Sequence, residues 1–147
     1  MTIKEIQDEI IEEFSLFDDW MDRYNHLIEI GKSLPLMEEK FRKKDYLIEG
    51  CQSKVWLYPD LVEGKVVFKA DSDAIITKGI IALLIKVLSD RSPDEIINTE
   101  LFFIDEIGLK QNLSPTRSNG LLSMVKQMKL YAIAYDVKIK SNVGNSK

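Results

Sequence analysis

Ile3, Ile6, Ile10, Phe14 and Phe17 recur at steps of three and four residues with glutamates and aspartates between them, the period of an amphipathic helix with one buried face. Asp18 and Asp19 follow as capping side chains for a second helix, in which Trp20, Tyr24, Leu27 and Ile28 share a face until Gly31 stops it. The two helices are expected to pair antiparallel. Pro35 and the charged residues 38–45 read as a solvated connection. From Tyr46 the pattern changes. Residues 46–48 are short and extended in character, and residues 55–58 and 65–70 are β-rich runs, with Pro59, Asp60 and Gly64 supplying the turn between them. Gly50, Cys51 and Gln52 fall in the loop ahead of the first strand. Asp71, Ser72 and Asp73 are placed to cap a helix over residues 74–88, apolar around most of its circumference and therefore the expected centre of the fold.

Ser92, Pro93 and Glu95 form a capping box with proline at the first helical position, which predicts a short helix ending near Asn98. Residues 101–107 are apolar and short, compatible with either helix or strand, and Gly108 ends them. Ser114 and Pro115 repeat the cap-and-proline signal and open a last helix with Leu121, Met124, Val125, Met128 and Tyr131 on one side. The chain is thus expected to be a single α+β domain over residues 1–140, a small antiparallel sheet with helices packed on one face, followed by a flexible polar tail over residues 141–147.

Composition narrows the partners. A chain of 147 residues that is 45% hydrophobic has the length of one domain and enough apolar surface for a core. Twenty basic against 24 acidic residues give a net charge of -4, which argues against nucleic acid or an anionic membrane as partner and favours a protein or a small molecule. Residues 1–13 lack the basic start and apolar run of a secretory signal. The longest apolar run, residues 79–85, is bracketed by Lys78 and Lys86 and falls far short of the roughly 20 residues a membrane span needs. A cytoplasmic protein with a reduced thiol is the expectation.

There is one cysteine and one histidine. A lone thiol makes no internal disulfide, no Cys-rich metal site and no resolving-cysteine cycle, so any sulfur chemistry must cross to a second molecule, and neither a metal nor a cofactor is expected. Cys51 lies between Gly50 and Gln52 rather than inside an apolar run, and Lys54 nearby would favour the thiolate. Spacing alone leaves open whether the thiol reacts or packs as a small hydrophobe. His26 sits on the second helix and meets Cys51 only if the fold brings them together. The Asp71, Ser72 and Asp73 cluster reads as a helix cap or, with its paired carboxylates, as a metal or cation site. Arg117, one turn into the last helix, opposes the helix dipole and hints at an anion or carboxylate ligand.

The string Glu49-Gly50-Cys51-Gln52-Ser53-Lys54-Val55-Trp56-Leu57 resembles the active-site signature of the SufE family of sulfur-acceptor proteins. Asp71-Ser72-Asp73-Ala74 leading to Lys78-Gly79, and the run from Leu113 through Ser114-Pro115-Thr116-Arg117-Ser118-Asn119-Gly120 to Leu121, resemble two further blocks of that family in the same order. Asp19-Trp20, Tyr24 and Leu34-Pro35 are similar as well. Ala70 departs where the family often has glycine, and the segment from Tyr135 runs on as a basic tail. The resemblance implies a fold shared with IscU-type scaffolds and a role as the partner, not itself an enzyme, of a pyridoxal-phosphate-dependent cysteine desulfurase. Cys51 would accept its persulfide sulfur, stimulate its turnover and deliver the sulfur to an iron-sulfur scaffold complex of the SufBCD type. By the same resemblance Gly50, Gln52, Asp73 and Arg117 support the loop or dock the desulfurase.

Three other readings stand beside it. A cluster scaffold needs several ligands, which one cysteine and one histidine do not supply. A one-cysteine thiol enzyme would pair Cys51 with His26, and an interaction module would leave the thiol inert. A paralogous desulfurase pathway is a variant of the sulfur-acceptor reading, and the sequence leaves monomer and homodimer equally open.

Overall fold

The computed structural model describes residues 1–145. Helix α1 (Ile3–Ser15) starts from a capping box in which Thr2 accepts from the Glu5 amide and Glu5 returns the bond, and it buries Ile3, Gln7, Ile10 and Phe14. Gln7 uses both ends of its amide, donating to the Glu100 carbonyl at 3.1 Å and accepting from the Phe103 amide at 3.2 Å, so a polar side chain in the core is satisfied. Helix α2 (Trp20–Lys32) is capped by Asp19, whose side chain accepts from Met21 N at 2.7 Å.

Strands β1 (Val55–Val62) and β2 (Lys65–Ser72) form a two-stranded antiparallel sheet in the register Val55 to Ser72 through Val62 to Lys65. Val55, Leu57, Val66, Phe68 and Ala70 are its buried apolar positions, with Asp71 buried beside them. The turn is Glu63-Gly64, both with positive φ, the arrangement that matches the twist of a tight hairpin. Pro59 and Asp60, expected in the turn, belong to β1. Of residues 46–48, expected to be extended, Tyr46 instead closes a 3-10 turn (Lys44–Tyr46), and the extended character survives only as a bridge between Leu47 and Trp56.

Helix α3 (Ile75–Leu88) has ten buried residues and lies at the centre. Its continuous apolar surface is met by α2 on one side and by the sheet on another. The α2 crossing is close because Gly79 has no side chain: a Cβ there would collide with the carbonyl oxygen of Leu27, and one at Gly31 would come within 2.7 Å of Gly79 N. The expected antiparallel pairing of α1 and α2 is therefore not the main packing. Helix α2 rests on α3, while α1 packs on α3 and on a later helical turn.

Helix α4 (Pro93–Asn98) carries the expected capping box of Ser92 and Glu95. The ambiguous residues 101–107 contain a single helical turn, α5 (Phe103–Glu106), followed by α6 (Leu109–Asn112) after Gly108 at φ 84°. Helix α7 (Pro115–Asn145) buries Leu121, Met124, Met128 and Ala132 against α3 and α4. The tail expected from residue 141 is helical to Asn145, and its last two residues lie outside the described residues. The expected α+β architecture is observed.

Candidate functional site

Cys51 lies in the loop between the residue 47–48 bridge and β1, half-buried, with Sγ 3.6 Å from the carbonyl oxygen of Gly120 on α7. Two glycines make this seat. Gly50 holds φ at 90° and its α-carbon faces Ser123, whose Oγ a Cβ would strike, so the chain turns onto α7 at a place that excludes L side chains. Gly120 supplies the other half. A Cβ at Gly120 would stand 3.5 Å from Cys51 Sγ, already in van der Waals contact, so the bare helix surface lets the thiol lie close.

The far end of the loop is pinned at Lys54. Its amide donates to Asp73 Oδ1 at 3.0 Å, and its carbonyl accepts from Ser72 Oγ at 2.8 Å and from Asp73 N at 3.2 Å. Asp73 and Ser72 thus hold the Cys51 loop in place of the expected cap on α3. Helix α3 begins after Ala74 with no side-chain cap from Ala74 itself, although Ser72 Oγ accepts from the Ala74 amide at 3.2 Å. Asp71 points elsewhere, to Arg42 Nη2 at 2.6 Å, Arg42 Nε at 3.0 Å and Lys78 Nζ at 3.4 Å. Burial alone would raise its pKa, but Arg42, the Ser72 amide and Lys78 together hold the carboxyl below the usual range. Ser72 and Asp73 therefore share one partner, Lys54, while Asp71 serves another. Among the described residues no group of three or more His, Cys, Asp or Glu side chains is placed to hold a metal ion.

A cleft of about 90 Å³ opens beside the thiol, lined by Cys51, Gln52, Thr77, Arg117, Gly120 and Met124 among others. Gln52 is exposed at its rim. Arg117 is also exposed, with its guanidinium carbon 5.9 Å from the centre of the Tyr24 ring, where it links α7 to α2. The structure thus brings Cys51, Gln52 and Arg117 to one cleft and sets Gly50 and Asp73 at the two ends of the loop that carries the thiol. His26 is not a lining residue of this cleft. Its ring packs between Phe14 and Phe17 at centroid distances of 5.0 and 4.9 Å, with Nε2 3.1 Å from Glu13 Oε1 but out of hydrogen-bonding line. The reading that pairs Cys51 with His26 has no geometric support.

Burial pushes the Cys51 thiol pKa up. Lys54, expected to favour the thiolate, is held through its backbone and is not a cause of the shift. At neutral pH the resting thiol is protonated and slow to react. The pH midpoint for alkylation of Cys51 by iodoacetamide is expected to lie above that of the same cysteine in the urea-unfolded chain. A midpoint at or below the unfolded value would show the thiol to be activated at rest. The sign carries over to stability. The folded thiol keeps its proton to higher pH than the unfolded one, so its contribution is intact below the unfolded pKa and is lost as pH rises through the folded pKa.

Residues 8–132 match the SufE family, described as an Fe-S metabolism associated domain. The chain belongs to the SufE family. That membership ties it to Fe-S metabolism and sulfur transfer. It is 42% identical over 127 residues to an uncharacterised SufE-like protein of Rhizobium etli, a match covering 83% of this chain and 86% of that one. A chloroplastic/mitochondrial SufE-like protein of Arabidopsis thaliana is 40% identical over 131 residues, 88% of this chain but 35% of the longer plant protein. A solution structure of a hypothetical protein from Thermus thermophilus shares the fold at a TM-score of 0.72 and 20% identity, over 88% of this chain and 94% of that one. No helix among the described residues of this SufE-family chain is long and apolar enough to cross a membrane.

Sequence reasoning did not assign roles to Gly120, Ser123 or Thr77. Gly120 stood in a family block with no task attached, and its signal was a glycine inside a helix, where that residue is unfavourable unless something approaches closely. Thr77 was a single hydroxyl in an apolar helix.

Proposed function

We propose that the chain is a sulfur acceptor: Cys51 takes the outer sulfur of the persulfide formed on a pyridoxal-phosphate-dependent cysteine desulfurase, and hands it to an iron-sulfur scaffold complex of the SufBCD type. The observation that carries this reading is the seat of the thiol. One cysteine sits on a loop fixed at both ends, resting on a helix with an open cleft beside it and no second thiol, metal cluster or catalytic histidine in reach among the described residues. Such a group suits an intermolecular exchange. The attacking thiolate forms a new S–S bond as the donor's S–S bond breaks and its electron pair leaves on the donor thiolate, with no net oxidation.

The raised thiol pKa supports a carrier that is quiet until engaged. A half-buried thiol is shielded from stray oxidants and thiols, and docking of the desulfurase is what presents it. Arg117 and Gln52, exposed at the cleft, are the groups a desulfurase would meet, and Gly50 and Asp73 control the position of the loop. The chain serves as partner to the desulfurase, acts in the cytoplasm and performs no turnover of its own. The test is direct. Mixed with a cysteine desulfurase and L-cysteine without reductant, the chain is expected to gain the mass of one sulfur atom, mapped to the peptide holding Cys51. A free, unmodified Cys51 after incubation with several such enzymes would return the thiol to a packing role.

A further inference from the structure

The Cys51 cleft contains a polar group that nothing in the fold uses. Thr77 on α3 is 7% exposed and lines the cleft with Cys51, and its hydroxyl makes no hydrogen bond with any described residue. Among the described residues the one fully enclosed side-chain polar atom left unpaired is His26 Nε2, so the Thr77 hydroxyl is open to the cleft and finds its partner there. Its helical neighbours Ile76, Ile80 and Ile81 are apolar and buried as expected of a core helix, so a valine in its place would satisfy packing equally well. An unpartnered hydroxyl at the wall of a cavity is a receptor for a group that arrives there.

We propose that this cleft seats the outer sulfur of the loaded carrier, with the Thr77 hydroxyl donating a hydrogen bond to it. This rests on the sulfur-acceptor reading above and adds where the cargo lies and what holds it. The space suffices: the cleft measures about 90 Å³, a liquid water occupies about 30 Å³, and one sulfur atom is of similar bulk. The chemistry suits the donor as well. After transfer the outer sulfur is bonded only to Cys51 Sγ and, once it releases its proton, carries the negative charge. A hydrogen bond to the charged form favours that form, and Ile80 and Met124 add apolar wall to the same cleft. Release then needs an acceptor thiolate to attack the outer sulfur, breaking the S–S bond and returning Cys51 as thiolate.

The test replaces Thr77 by valine, which keeps the shape and removes the hydroxyl. Wild type and Thr77→Val are loaded with inorganic polysulfide, so that no desulfurase is involved, freed of excess reagent and exposed to dithiothreitol. Intact mass follows the loss of the extra sulfur. The loaded state of Thr77→Val is expected to decay about tenfold faster, the change carried by one hydrogen bond to a charged group. The pH midpoint for alkylation of its outer sulfur should rise, and Thr77→Ser should restore both. Alkylation of the unloaded thiol and the thermal midpoint should match wild type. Should valine disturb α3, Thr77→Ala gives the same comparison. Equal lifetimes and equal midpoints in folded wild type and variant would overturn the assignment, as would failure of the wild type to retain sulfur from polysulfide. A wild type that loads from polysulfide but from no desulfurase speaks against the donor named above, while the Thr77 comparison still decides the seat.

Discussion

Cys51→Ser is expected to abolish stimulation of a cysteine desulfurase while leaving the fold intact. A serine hydroxyl does not displace a thiolate from a persulfide, because attack requires an ionised sulfur nucleophile whose acidity is near ambient pH. The structural cost is small. The side chain is half-buried and touches α7 through one weak contact to the Gly120 carbonyl, so stability should change by about 1 kcal/mol or less. The measurement is alanine production by the desulfurase with wild type, with Cys51→Ser and with neither, alongside a urea melt of each. Stimulation undiminished in a folded variant would mean that docking alone activates the enzyme and that sulfur does not pass through this thiol.

The second large effect concerns stability and a place far from the thiol. Gly79→Ala should lower the urea midpoint markedly, although alanine is the better helix former by about 1 kcal/mol. The new methyl would have to share space with the Leu27 carbonyl, and Leu27 is fully buried on α2. Backbone does not rotate away as a side chain does. Either α2 shifts off α3 or α3 bends, and overpacking of this kind costs about 1–3 kcal/mol. Because Thr77 and Ile80 flank Gly79 on α3 and line the Cys51 cleft, the variant should also change the alkylation rate of Cys51. A midpoint equal to or above wild type would show that the α2 and α3 crossing has slack that the close approach at Gly79 denies.

The sequence reveals those features whose causes lie within one turn of chain. Ser92, Pro93 and Glu95 announce α4 because capping is a contact between residues three apart. The unbroken apolar run identifies α3 as central for a similar reason. Pro59 misleads because proline signals a turn on its own, whereas β1 carries it within a strand and the turn chemistry sits in Glu63-Gly64. Asp71, Ser72 and Asp73 mislead more instructively. Their cap-like composition is real, but Asp73 serves Lys54, 19 residues away, and Asp71 serves Arg42, 29 residues away, pairings that no local pattern encodes. At the candidate site the resemblance pointed to Cys51, Gly50, Gln52, Asp73 and Arg117, whereas Gly120 and Thr77 acquire meaning only when α7 and α3 are seen on either side of one cleft.

The clamp on Lys54 also sets a length. Cys51 is three residues from that anchor, and three residues of fully extended chain span at most about 10 Å. However far the Gly50 end swings out, the Cys51 α-carbon is confined to an arc of that radius around the start of β1, and its sulfur to one short side chain beyond it. On the sulfur-acceptor reading, a donor would have to bring its own persulfide into that arc. On the same reading, an acceptor taking the sulfur later would have to approach the same small sphere, so donor and acceptor would compete for one doorway and visit in turn.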